Sequence, residues 1–131
     1  MDEKRDRLPG TRVLILEDEA MITMMMEDML ADLGCEIVGP AATVAAALDL
    51  IDRSEIDVGL LDLSLGQGET GYPVADALAA KGIPFAFVTG YGADGLRAEH
   101  RERPTLAKPF RLETLEQMVA ALVAEYERRT A

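Results

Sequence analysis

Four stretches of this chain place chemically capable side chains directly after or at the end of a short apolar run. Glu17-Asp18-Glu19 follow Arg12–Leu16, Asp62 follows Val58–Leu61, Thr89-Gly90 close Phe85–Thr89, and Lys108-Pro109 close Thr105–Lys108. If the runs are parallel strands, all four ends meet on one edge of a sheet. Glu17, Asp18 and Asp62 would then repel one another unless a hard cation sat among them. Magnesium suits such a set, because it takes oxygen ligands, uses only a few carboxylates and keeps waters that phosphate oxygens can replace. A solvated strand end would explain acids after one strand, but not acids after two with a lysine after another. Asp62 is the best nucleophile, since aspartate carboxylates form acyl phosphates. Phosphoryl transfer asks the protein for in-line positioning and for charge on the equatorial oxygens. Lys108 would supply positive charge, the Thr89 hydroxyl a hydrogen bond, and backbone N–H groups after Asp62 and at Gly90 the rest of a cradle. The bond before Pro109 is open to either isomer: cis would aim Lys108 back over the sheet edge, and trans would simply open the last helix.

The elements that must hold these groups are legible in the apolar pattern. Arg12–Leu16, Glu36–Val38, Val58–Leu61, Phe85–Thr89 and Thr105–Lys108 are short and nearly continuous, as strands covered on both faces are. Between them lie helical patterns. Ile22, Met25, Met26, Met29, Leu30 and Leu33 share one face before Gly34, and read as a core stripe rather than a sticky groove. Thr43 can cap Val44–Ile51. Pro73 suits a first helical turn, and Gly82 follows that helix. A fourth, weakly patterned helix is expected from Ala93 to about Arg103. Leu115, Met118, Val119, Leu122, Val123 and Tyr126 stripe the last. Alternating strands and helices make a doubly wound α/β fold with right-handed crossovers, and ligands bind at the carboxyl ends of such strands.

The 131 residues fit one domain, here residues 11–131 after a flexible tail, residues 1–10. No internal repeat or linker suggests a second. A net charge of −11 argues against nucleic acid as the main partner and permits attraction to cations and basic protein surfaces. No apolar run reaches the roughly 18 residues of a membrane span. The charged N-terminus is not a secretory signal, so no membrane association and a cytoplasmic location are expected. The lone Cys35 reads as a buried, inert thiol. His100, within the charged run Arg97–Arg103, reads as a solvated surface residue.

Leu14-Ile15-Leu16-Glu17-Asp18-Glu19, Leu60-Leu61-Asp62-Leu63, Val88-Thr89-Gly90 and Ala107-Lys108-Pro109-Phe110, in this order and spacing, resemble the response-regulator receiver domain over about Thr11 to Arg128. The resemblance implies a flavodoxin-like, five-stranded parallel sheet in the order 2-1-3-4-5 with five helices. It implies phosphorylation at Asp62, a Mg2+ site from Glu17, Asp18, Asp62 and the Ser64 carbonyl, phosphate contacts from Thr89, Gly90 and Lys108, and a cis peptide before Pro109. The donor would be a sensor histidine kinase or a histidine phosphotransfer protein. The output would be contact with a downstream protein through a face around Tyr91, Ala93, Leu96 and Thr105, and the chain would be a switch rather than an enzyme.

Two departures from the family pattern stand out. The position three before the lysine, usually aromatic, is Thr105. The loop after Asp62 is glycine-rich and slightly long. Pro84-Phe85-Ala86-Phe87-Val88-Thr89-Gly90-Tyr91 resembles the PFxFATG signature of a subgroup of alphaproteobacterial single-domain regulators linked to the general stress response, with Val88 in place of Ala. Switching would therefore shift toward Thr89 and Tyr91, with Thr105 a poor stand-in.

Three other readings compete. Gly66-Gln67-Gly68-Glu69-Thr70-Gly71 matches a dinucleotide-binding pattern, but Asp62 and Glu69 beside it would repel a pyrophosphate. A haloacid-dehalogenase-like phosphohydrolase would use Asp62 with a second acid two residues on, where this chain has Ser64. A receiver-like module that binds partners without phosphorylation would not need the full acidic pocket.

Overall fold

A computed structural model describes residues 8–90 and 96–130, the side chains of the last two of these excepted. Five strands, β1 (Arg12–Leu16), β2 (Glu36–Ala41), β3 (Val58–Asp62), β4 (Phe85–Thr89) and β5 (Thr105–Ala107), form one sheet in the order β2-β1-β3-β4-β5. Every neighbouring pair is parallel. The helices are α1 (Ala20–Asp32), α2 (Val44–Arg53), α3 (Tyr72–Ala80) and α4 (Leu112–Thr130). None of the described helices is long and apolar enough to cross a membrane.

Alternation along the strands divides the core. Val13 and Ile15 of β1 and Leu60 of β3 point to one face, where α1 and α4 cover them with Met26, Leu30, Leu115, Val119 and Leu122. Leu14, Leu16 and Leu61 point to the other, under Ala47 and Ile51 of α2 and Val74 and Leu78 of α3. Both faces are therefore closed, and the strand ends are left for chemistry. The local signals hold: Thr43 Oγ1 accepts from Ala46 N at 3.2 Å, Pro73 lies in the first turn of α3, and Gly34 and Gly82 take positive φ after α1 and α3. The methionine stripe is core, with Met26 buried and Met25 and Met29 packed against it, while Met21 and Met24 face outward. Cys35 is buried, and burial pushes its thiol up to about 11.

The structure corrects several expectations. Strand β2 continues past Val38 to Ala41, through a register shift opposite Leu14–Leu16, which an edge strand carrying Pro40 tolerates. Among the described residues there are four α-helices, not five. The expected fourth helix is replaced, where described, by a single 3-10 turn at Ala98–His100, because Leu96 is the lone large apolar residue there and a short helix without an apolar face gains too little from packing. Leu96 itself is buried rather than presented on a partner face, and Tyr91 and Ala93 lie outside the described residues. At the other end Leu8, expected in a flexible tail, is 1 % exposed and belongs to the core, with Gly10 N donating to Gly34 O.

His100 is the clearest reversal: it is 6 % exposed. Residues three apart eclipse in a 3-10 turn. Here Arg97 lies over the Tyr72 ring, His100 stacks on Tyr72 beside Phe85 and Phe87, and Arg103 lies over Phe85, while Glu99 and Arg101 remain outside. The neighbouring charges that suggested a solvated run belong to the outward side of the turn.

Candidate functional site

Strand pairing carries the reactive residues to one edge. Leu16 pairs with Leu61, Asp62 with Val88 and Thr89 with Ala107, so Glu17, Asp62, Thr89 and Lys108 emerge side by side. Glu19, Asp62, Ser64, Thr89, Gly90 and Lys108 line an open cleft of about 400 Å³.

Carboxylate oxygens of Glu17, Asp18 and Asp62 come within 4.8 Å of one another. Glu17 is 2 % exposed and Asp62 5 %, whereas Asp18 faces solvent. Lys108 Nζ lies 3.0 Å from Glu17 Oε1 and 3.2 Å from Asp62 Oδ2. Burial pushes the Glu17 carboxyl above its ordinary range, and Asp62 adds to this against the opposing effects of Lys108 and the Glu19 N–H. Burial alone would lower the Lys108 ammonium, but Glu17 and Asp62 outweigh it and hold it raised. One lysine thus faces a triple acid cluster and leaves it short of positive charge.

The donor set fits a magnesium ion. All three side chains offer hard oxygens, and the buried Glu17 Oε1 accepts no aligned hydrogen bond among the described residues despite its ion pair with Lys108. A buried acceptor in that condition is stabilised by a cation.

The loop after β3 is built around Asp62. Ser64 N donates to Asp62 Oδ1 at 3.2 Å, and Gly66 N to Asp18 Oδ2 at 2.9 Å. Gly71 passes so close to Asp62 that an added Cβ would lie 2.4 Å from the Asp62 carbonyl oxygen. The G-x-G-x-x-G pattern is thus a 3-10 turn at Gly66–Gly68, with one glycine N–H turned onto a carboxylate and another glycine packed on backbone. That arrangement turns the loop onto the acidic site, whose carboxylates would repel a pyrophosphate. Thr89 is buried and lines the cleft, with its carbonyl accepting from Lys108 N at 3.0 Å. At Gly90 a Cβ would meet nothing within 4 Å, so its backbone is open to the cleft. The Lys108–Pro109 peptide is cis, as is Gly39–Pro40.

The expected switch residues beyond Thr89 contribute nothing that the described residues place in the cleft lining. Thr105 pairs with Phe87 on β5 and is half-buried outside the lining, and Tyr91 lies outside the described residues. Two residues of the named motifs have a role that the sequence did not assign: Gly71, whose lack of a side chain leaves room for the Asp62 carbonyl, and Glu19, whose N–H orients Glu17 at 3.1 Å. Glu19 had a signal in its adjacency to the acid pair; Gly71 had none, because its contact with the Asp62 carbonyl is made only once the loop folds back.

A family model described as the response regulator receiver domain matches residues 13–120. The solution structure of SdrG from Sphingomonas melonis Fr1 is 45 % identical, covers 87 % of this chain and 97 % of that one, and has a TM-score of 0.77. A BeF3-activated form of SdrG is matched at a TM-score of 0.76. The transcriptional regulatory protein PdtaR of Mycobacterium tuberculosis is 32 % identical over 92 % of this chain. The phyllosphere-induced regulator PhyR of Methylorubrum extorquens is 35 % identical over 77 % of it. A crystal structure described as that of the PhyR stress response regulator has a TM-score of 0.82 at 30 % identity. The chain spans 60 % of PdtaR and 39 % of the Methylorubrum PhyR.

Proposed function

We propose that this chain, which belongs to the response regulator receiver domain family, is a phosphorylation switch that accepts a phosphoryl group on Asp62. The observation that carries the reading is the convergence, on one sheet edge, of the acids Glu17, Asp18 and Asp62 with Lys108 within 3.2 Å of Asp62. Among the described residues, Asp62 is the sole carboxylate that both ends a strand and lines the cleft beside Thr89, Gly90 and Lys108.

The geometry supports the following division of labour. An Asp62 carboxylate oxygen attacks the phosphorus of a phosphohistidine on a histidine kinase or phosphotransfer protein. The new O–P bond forms as the P–N bond breaks, and the imidazole leaves with the electron pair. Lys108 keeps its charge at neutral pH, since its carboxylate partners hold its proton, and attracts one equatorial oxygen. The Thr89 hydroxyl and the backbone at Gly90 receive the others. Glu17, Asp18, Asp62 and the Ser64 carbonyl would hold Mg2+, which supplies further positive charge to the transferring group. Phosphorylation alters contact with a protein partner, and the likeness to PhyR and SdrG supports an output in the general stress response.

Incubation with acetyl phosphate, with and without magnesium, followed by intact mass, tests this against Asp62→Asn. The expected result is a magnesium-dependent, base-labile adduct of one phosphoryl group on the wild type alone. An equal adduct on Asp62→Asn would move the acceptor elsewhere.

A further inference from the structure

The residue three before Lys108 is Thr105, which is half-buried and too small to occupy alternative packed positions. Another aromatic assembly stands beside the site instead. Tyr72 is the first residue of α3 and is 6 % exposed. Its ring stacks on His100 at 5.8 Å and 14°, and meets Phe87 edge-on at 5.8 Å. Its hydroxyl accepts from Arg97 N at 2.9 Å, and the Arg97 guanidinium sits 4.2 Å above its ring. One turn later on α3, Asp76 takes His100 Nε2 at 2.9 Å. The segment Leu96–Arg103 is thus fastened to the start of α3 rather than by a helix of its own.

The same end of α3 is fastened to the phosphoacceptor. Gly71, the residue before Tyr72, lies against the Asp62 carbonyl with no room for a side chain, and its N–H donates to Leu63 O at 3.0 Å. Packed contacts of this kind do not deform gradually. A displacement at Asp62 would therefore be passed to the first turn of α3, and with it to the Tyr72 hydroxyl and ring.

Resting on the proposed role of Asp62, we infer that the Tyr72–His100–Asp76 latch couples the acceptor site to the surface of Leu96–Arg103, taking the part that Thr105 cannot. Coupling is reciprocal. A protein bound on Arg97–Arg103 changes the affinity of the site for phosphoryl-like ligands as much as the ligand changes the protein's binding.

The chain has a single histidine, so one imidazole resonance reports the latch without ambiguity. Imidazole and amide spectra would be recorded before and after adding magnesium and beryllofluoride, an acyl-phosphate mimic. The wild type, Asp62→Asn, Tyr72→Phe and Asp76→Asn would be compared. Tyr72→Phe keeps the ring and loses only the hydroxyl, and Asp76 is largely exposed, so both variants are expected to keep the fold. The expected result is a shift of the His100 signal in the wild type that is lost in Asp62→Asn. In the two latch variants it becomes smaller while the Ser64, Thr89 and Lys108 amides still shift fully. If those amides move and His100 does not, or if both latch variants respond like the wild type, the latch is overturned and the acceptor reading stands. If no pocket amide moves, the acceptor reading fails and the latch falls with it.

Discussion

Replacing Lys108 by methionine keeps the apolar stem and deletes the charge. The ammonium lies 3.0 Å from Glu17 and 3.2 Å from Asp62. At an effective dielectric constant of about 20, each contact is a gross attraction of about 5 kcal/mol. Desolvation of the ammonium offsets several kcal/mol of this, and breaking a buried pair leaves an uncompensated charge worth about 3–5 kcal/mol. The lysine side chain is 19 % exposed, so water screens part of the effect. Lys108→Met should therefore lose about 3 kcal/mol at pH 7 without magnesium, at the low end of the buried-pair range.

The pH dependence gives the reasoning a sign. Glu17 is raised in the folded state, so its contribution is full below its unfolded value and is lost as pH rises through the folded one. Removing Lys108 removes an influence that lowers Glu17, and the fall of stability from acid toward neutral pH should steepen. Lys108 is raised as well, so its own contribution is present below its unfolded value and lost as pH rises through the folded one. That alkaline loss should vanish in the variant. Magnesium should raise the unfolding midpoint of the variant more than that of the wild type, because the acids it would neutralise are then uncompensated. Urea unfolding across pH, with and without magnesium, measures all three effects. A variant as stable as the wild type at pH 7, with an unchanged acid limb, would refute the claim that Lys108 balances the cluster.

Gly71→Ala has an allowed backbone, but its Cβ would meet the Asp62 carbonyl at 2.4 Å. It should lose about 1–3 kcal/mol and reduce acetyl phosphate labelling, and wild-type values in thermal unfolding and labelling would show that the loop relaxes freely. Thr43→Ala removes the α2 cap and should lose about 1 kcal/mol in urea unfolding, with labelling at Asp62 unchanged. Cys35, with its thiol pushed up to about 11 by burial, should resist a disulfide reagent at neutral pH until the protein is unfolded, whereas rapid native labelling would contradict its burial.

Much of this protein is determined by local chemistry. Continuous apolar runs dictate strands buried on both faces, and the acids, threonine and lysine that end them can meet only at the carboxyl edge of a parallel sheet. The caps at Thr43, Pro73, Gly34 and Gly82 act through backbone geometry within a few residues, so they too were legible. The segment after Thr89 was not. His100, within the charged run Arg97–Arg103, reads as solvated, yet it turns inward onto Tyr72, Phe85 and Phe87, rings supplied by distant parts of the chain, while Arg97 and Arg103 at a 3-10 spacing lie over two of those rings. The same holds for Gly71, required by a carbonyl across the loop, and for Leu8, which enters the core although it follows a run of charges. In each case the deciding partner comes from a neighbour that only tertiary packing brings near, and no periodicity within the segment encodes it.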